Sequence, residues 1–198
     1  MQSDWRDGFL FVGNHLALDF LNTRPVMDGQ PMELLPDGSA LAKWLVAAAL
    51  VTSAPAARLV RKWSGPIPEI HEFRERLRKV LIQLEKGESS PTSFISELNR
   101  LLAHYPETEQ VVEKESGLEL RKGFHPEVPM DVFAPLAAAT ARLLTGADRR
   151  RIRQCHGCVV HFYDASKRGT RVWCTMNLCG NRSKVAAHAA RQRAARKA

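Results

Sequence analysis

No segment of this chain is apolar for long enough to cross a bilayer as a helix. The longest clean apolar run is Trp44–Val51, far short of the ~20 residues a span requires. The first residues are not expected to form a secretion leader either. Asp4, Arg6 and Asp7 come first, and Asn14, His15 and Asp19 interrupt the apolar residues behind them. A cytoplasmic protein with no membrane partner is expected. The sequence also lacks a Gly-rich phosphate loop, a His-Glu-x-x-His pair and any Ser-His-Asp ordering signal, and its seven histidines are scattered. The expectation is therefore no enzyme, although a site assembled from distant residues would leave no such trace. There is no internal repeat, and the single biased segment is the Ala/Arg tail.

Acidic residues almost vanish from the last fifty positions. Residues 149–198 hold 13 Lys/Arg and one acid, Asp164, whereas residues 1–148 hold 16 Lys/Arg and 20 acids. The body is thus net −4 and the last quarter net +12, within a whole chain of +8. A basic segment set against an acidic body points to a polyanion partner. A solvated tail that only aids solubility is the plainer reading.

What remains is an ordinary globular composition, 44% apolar and 25% charged over 198 residues, long enough for a real core. Phe9–Val12 reads as a strand, Gly13-Asn14 as a turn, and residues 15–23 as a short helix. "PDGSALAKWLVAAALV" is a helix capped by Asp37 or Ser39, and "SAPAARLVRKW" continues as helix with Ser53 as its cap. In "IPEIHEFRERLRKVLIQLEKG", Ile70, Phe73, Leu77, Val80, Leu81 and Leu84 keep helical spacing between Pro68 and Gly87. "SPTSFISELNRLLAHYP" is a further helix. "EQVVEKESGLELRKGF" alternates as a hairpin turning near Ser116-Gly117, and "MDVFAPLAAATARLLTG" returns to helix. Residues 1–146 are therefore expected to form a predominantly helical α+β domain with a small β-hairpin. They carry the large apolar helices and no cysteine, so they should fold unaided. Residues 147–198 form a second unit.

Cysteine is scarce, and its placement is informative. All four lie within 25 residues as Cys155-x2-Cys158 and Cys174-x4-Cys179. Two pairs offer one metal a full tetrahedral set of thiolates, which suits a single structural zinc with no open position for catalysis. Disulfides are disfavoured without a secretion signal. His156 and His161 could stand in for a cysteine, but four thiolates already close the set. Gly157 allows a left-handed turn between the first pair. The stretch 159–173 can return as a hairpin, Val159–Asp164 out and Thr170–Trp173 back. With a helix after Cys179, this predicts a treble-clef-like zinc finger of knuckle, hairpin and helix. Phe162, Tyr163, Val172 and Trp173 should pack beside the metal, with stacking on nucleic-acid bases as the alternative.

The tail "GNRSKVAAHAARQRAARKA" is rich in helix formers. On a helical wheel Arg182, Arg193, Arg196 and Lys197 share one side, and Lys184, His188 and Arg191 lie roughly opposite. With Lys167, Arg168 and Arg171 in the preceding stretch, these are the candidate nucleic-acid contacts. Asn181 is a candidate either to cap backbone groups or to donate a hydrogen bond to a cysteine sulfur. Asp19, Asn22, Thr23 and Arg24, polar within an apolar segment, read either as a small-ligand pocket or as helix-end caps.

"CHGC", "FYDASKRGTRVWC" and "CGNRSK" resemble the CGNR zinc-finger family. "FVGNHLALDFLNT", "ELL", "LAKWL" and "PLAAATARLL" resemble the ABATE domain that accompanies this finger. The resemblance implies a bacterial, stress-related transcription regulator with zinc on Cys155, Cys158, Cys174 and Cys179, and with double-stranded DNA as partner. It leaves the N-terminal domain to sense a small-molecule effector or to form a homodimer. Where the family has an Arg-Trp pair before the third cysteine, this chain has Val172-Trp173 with Arg171 one step earlier. Two other classes stay open on the residues alone: an RNA-associated zinc protein, and a small-molecule binder or enzyme with a purely structural zinc.

Overall fold

The computed structural model describes residues 4–27, 29–146 and 148–195, with Met27, Lys122 and Ala194 described by backbone alone. Arg196 and Lys197, two of the expected tail cations, lie outside the described residues.

The chain opens on a hairpin. β1 (Trp5–Arg6) pairs antiparallel with β2 (Phe9–Leu10), and Asp7 and Gly8 between them take positive φ values of 50° and 83°, the backbone of a tight two-residue turn. Only the second strand is suggested by the sequence, because a two-residue strand shows no alternation. α1 (Leu16–Leu21) buries Ala17, Leu18, Phe20 and Leu21, and His15 caps it through the Ala17 N–H. A second unanticipated hairpin, β3 (Val26–Met27) with β4 (Gln30–Pro31), follows. α2 (Gly38–Ala47) starts at Asp37, whose carboxylate accepts the Ala40 N–H at 2.8 Å. Thr52, not Ser53, precedes the first turn of α3 (Ser53–Lys62), and no side-chain cap is formed there. α4 (Pro68–Glu85) begins on proline, whose missing N–H costs nothing in a first turn. Gly87 then ends it at φ 80°, in the left-handed region where a side chain would be strained.

α5 (Thr92–His104), the antiparallel pair β5 (Thr108–Lys114) and β6 (Gly117–Gly123), and α6 (Phe133–Gly146) complete the body. The α+β expectation holds: helices carry the core, and every sheet among the described residues has two strands. That core is organised by aromatic contacts. Phe20 meets Trp44 edge-on at 5.9 Å, and Phe73 stands between Phe20, Phe94 and Phe133 at 6.3, 6.0 and 5.4 Å. Leu41, Leu45, Ile70, Leu77 and Leu136 fill the space around them with no exposure, each contributing about 1.5–3 kcal/mol on burial. A charge lies within this core. Arg74 is 1% exposed and holds both oxygens of Glu33 and the Thr23 hydroxyl, so the guanidinium is paired as burial demands.

The C-terminal segment consists of β7 (Ile152–Gln154), β8 (His161–Tyr163), a π-helical turn over Met176–Gly180, and α7 (Asn181–Ala195). β8 pairs with β7, not with the 170–173 stretch. The buried Asp164 carboxylate explains the difference. It accepts the backbone N–H groups of Ser166 and Arg171 at 2.9 and 2.8 Å, so the returning chain is tied by a side chain where a strand ladder was expected. Charge changes sign near residue 147, but packing does not stop there. Leu10, Val12 and Trp5 share a second apolar cluster with Cys155, Val160, Phe162, Cys174 and Cys179. The buried Asn22 amide exchanges two hydrogen bonds with the His161 backbone, 2.8 and 3.0 Å, and the Tyr163 N–H donates to Gly13 at 2.8 Å. Residues 1–146, expected to fold unaided, thus offer an apolar face that the last fifty residues cover.

The Asp19 carboxylate on α1 accepts the Gly13 N–H at 2.8 Å. Burial pushes its carboxyl up from 3.8 to about 6, against the opposing effect of that hydrogen bond and of Arg6. The folded-state value exceeds the unfolded one, so this group's contribution is fully present below about pH 4 and is lost as pH rises through about 6. Asp19→Asn keeps an acceptor that cannot ionise. Thermal melts should show its stability relative to the native chain to be about 1–3 kcal/mol more favourable at pH 7 than at pH 4.

Candidate metal centre and nucleic-acid surface

The four cysteines reach one point from three structural settings. Cys155 and Cys158 sit in the turn between β7 and β8, which closes through the Cys155 N–H on the Val160 carbonyl at 2.8 Å. Cys174 ends the segment tied down by Asp164. Cys179 lies in the π-helical turn, whose Thr175 hydroxyl accepts the Leu178 N–H and donates to the Asp4 carboxylate. All four sulfurs lie within 4.8 Å of one another, and the Cys158 and Cys174 sulfurs are 3.8 Å apart. Tetrahedral coordination with metal–sulfur bonds of about 2.3 Å requires sulfur–sulfur separations of about 3.8 Å, so the cluster fits a metal ion. Its surroundings fit as well. The Cys155 sulfur accepts backbone N–H groups from Gly157 at 3.4 Å and Cys174 at 3.2 Å, and the Arg182 guanidinium stands 3.9 Å from the Cys179 sulfur. Such donors stabilise thiolate charge and orient the ligands.

Thiols this close cannot all ionise unaided. Hydrogen bonds from Cys158 and Cys174 hold the Cys155 thiol far below its ordinary range. Its bond with Cys155 pushes Cys158 up to about 12, and Cys174 is displaced upward by the same partners. A cation would release those protons. Glycine at 157 answers to packing, since its φ is not positive. A Cβ there would stand 3.3 Å from both Cys179 Cβ and the Trp173 ring. At Gly180 a Cβ would overlap the Met176 side chain at 2.6 Å. Neither histidine joins the cluster. His156 lies edge-on to Trp173 at 5.9 Å. His161 is fully buried, with Nε2 3.8 Å from Glu85, and burial followed by the nearby Arg78 charge lowers it to about 4.

The expected cations divide into two groups. Arg182, Lys184, Arg191 and Arg193 lie on α7, the first with its side chain in the open, and Lys167 and Arg168 are exposed in the preceding loop. Arg171 is turned inward. Its guanidinium donates to the carbonyls of Trp173, Cys174 and Val12 and lies 4.2 Å over the Phe162 ring. Asn181, exposed at the start of α7, leaves the sulfur to Arg182. Beside the cluster the structure adds cations that the residue pattern does not single out. Arg149, Arg150 and Arg153, with His156, line an open cleft of about 720 Å³ against the end of α4. Their sequence signal is the run "DRRRIRQ", which reads more readily as a domain boundary.

The four polar residues expected around a ligand do not surround one cavity. Asp19 holds the Gly13 loop, Asn22 holds His161, and the Thr23 hydroxyl donates to the Phe20 carbonyl while accepting from Arg74. Arg24 lines an open pocket, beside Glu33, His71 and Glu75. A separate recess of about 300 Å³ lies against the cysteines, walled by Trp5, Leu10, Pro25, Val26, Val160 and Leu178 with Arg182 at its side.

A family described as "Putative stress-induced transcription regulator", ABATE, matches residues 14–147, and the CGNR zinc finger matches residues 151–192. The chain belongs to the ABATE family. Its CGNR finger contains the four-cysteine cluster, and the finger shares an apolar contact with Leu10 and Val12 of the body. None of the curated proteins compared with the chain matches it. Among the described residues no helix of this ABATE chain is long and apolar enough to cross a membrane.

Metal content should fall in each of Cys155→Ser, Cys158→Ser, Cys174→Ser and Cys179→Ser when the purified variants are analysed for bound metal. Because Leu10 and Val12 pack on the finger, chelation should lower the melting temperature of the whole chain. A body transition unmoved by chelator would show that the body does not depend on the finger.

Proposed function

We propose that this ABATE protein is a cytoplasmic regulator that binds double-stranded DNA through a zinc-stapled basic surface. The observation that carries the reading is α7. It is 15 residues long, buries none of its described side chains fully, and presents Arg182, Lys184, Arg191 and Arg193 along its length. A helix of this length is marginal in water without packing, and here one end is fixed through Cys179. Four thiolates in a closed set favour zinc, which would stabilise the fold by about 10 kcal/mol and leave no position for a reacting water. An α-helix fits the DNA major groove, and Lys/Arg contacts with phosphates supply affinity.

Arg182 is the cation best placed to read sequence. Its bonds to the Leu178 carbonyl are long, 3.4 Å, so its donors remain available, while its backbone follows a metal ligand by three residues. Arg149, Arg150 and Arg153 add cations beside the cluster, in the cleft that Cys155 and His156 also line. The recess beside Trp5 and Arg182 supports an effector site: an apolar ligand bound there would touch the N-terminal hairpin and the start of α7 together. An RNA target is the second reading, since phosphate contacts do not distinguish the polymers.

Binding of the full chain to duplex DNA and to structured RNA over a salt series tests both. Preference for duplex with a steep salt dependence is expected, and preference for RNA would overturn the DNA reading. Arg182→Ala should weaken specific DNA binding by about 1–3 kcal/mol, measured on variant protein that is still folded and metal-loaded, since the guanidinium also stands near the Cys179 sulfur. Replacing Arg191 and Arg193 should weaken all sequences alike and flatten the salt slope. Arg171→Ala should instead lower the melting temperature, because it removes the tie among Phe162, Val12 and the Cys174 carbonyl.

A further inference from the structure

Among the described residues, nothing is built against the apolar face of the β5–β6 hairpin. Residues directly opposite in an antiparallel pair share a face, and the register sets Val111 against Leu120 and Glu113 against Leu118. Val111, Leu118 and Leu120 therefore lie together, and they are 63%, 78% and 62% exposed. The other face carries Gln110 and Arg121 toward the α2–α3 loop, where they line a cleft with Leu50 and Val51. A two-stranded hairpin is marginal alone, and three or more strands are needed for independent stability. Neither strand has another strand beside it among the described residues.

We propose that the outer edge of β6 is the homodimer interface, pairing antiparallel with β6 of a second copy to give a four-stranded sheet. The ladder fixes which groups are free. The two-residue turn closes on the Lys114–Gly117 pair, so Val112–Glu119 and Gln110–Arg121 are the next hydrogen-bonded pairs. The backbone N–H and C=O groups of Leu118, Leu120 and Lys122 then point away from β5. A two-fold axis at Leu120 sets these groups against their counterparts, with Leu120 facing Leu120 of the second copy.

Charge selects that register. With the axis at Leu120, Glu119 of each chain faces Arg121 of the other, and opposite charges across strands stabilise a sheet. An axis at residue 119 would oppose two glutamates, and one at residue 121 two arginines. Glu119 and Arg121 already pair within the strand at 3.1 Å. The dimer therefore closes an alternating ring of four charges, with Lys114 a further partner of Glu119 within each chain. The interface is independent of the DNA reading, since it lies on the acidic body and uses no residue of the finger.

Light scattering and sedimentation of the full chain test the pairing. The native chain should show twice its 22.2 kDa mass. Glu119→Arg alone and Arg121→Glu alone each place like charges across both contacts, and should raise the dimer dissociation constant by about tenfold or more. An equimolar mixture of the two should dimerise again, because the first variant carries two arginines at these positions and the second carries two glutamates. The doubly exchanged variant keeps its in-strand pair but sets an arginine beside Lys114, so Lys114→Glu is added to it to restore the cross-strand pair and preserve the hairpin. It should self-associate like the native chain and form no mixed dimer with it. A monomeric native chain, single variants as dimeric as the native one, or free mixing of the exchanged variant with the native chain would each overturn the proposal.

Discussion

Four sulfur atoms within 4.8 Å of one another cannot all carry negative charge without a cation among them, and the C-terminal quarter is arranged around that constraint. The segments that deliver them have little regular structure: a three-residue strand pair, a π-helical turn and a coil pinned by Asp164. None of these could hold a sulfur in place by its own ladder. The arrangement depends on converging partners. Backbone N–H groups meet Cys155, Asp4 steadies the turn bearing Cys179, and Trp5, Leu10 and Val12 close the apolar side. With so few large apolar residues of its own, the finger completes its core by borrowing from the first strands of the chain.

The long elements are legible in the residues. α4 has an unbroken helical period, a proline at its start and a glycine at its end, and β5–β6 is a hairpin of two seven-residue strands with alternation clearest at Leu118–Arg121. The cysteine pairs are legible for a different reason, because ligand chemistry restricts which residue types can share a metal. Short elements are not. β1 and β3 have two residues each, too few for any period to show, and their pairing follows from tight turns and tertiary contacts. A strand at 170–173 rests on alternation alone. Asp164, a single carboxylate able to accept two backbone N–H groups, sets the path of that segment instead.

The same limit explains the cations. By type alone, Arg171 and Arg182 are equivalent. Burial distinguishes them: Arg171 lies over Phe162 with its donors on carbonyls, whereas Arg182 projects from the start of a helix. Likewise Asp19, Asn22 and Thr23 look like a polar site in sequence, but each is engaged with the chain's own backbone. Asn22 in particular takes the role of a peptide group, presenting one donor and one acceptor to His161. Polar residues in an apolar stretch thus carry real structural information, about where another segment of chain lies.

The contact between Leu10, Val12 and the cysteine cluster has an evolutionary consequence. Zinc modules that are self-sufficient can be shuffled between proteins as independent cassettes. Cut at its sequence boundary, this finger would lose part of its hydrophobic lining, which is encoded far upstream, in the first residues of the body. Any recombination that separates the two ends of the gene leaves a finger with an exposed apolar flank. Packing of this kind favours inheritance of the two as a pair, which couples the basic helix to its body.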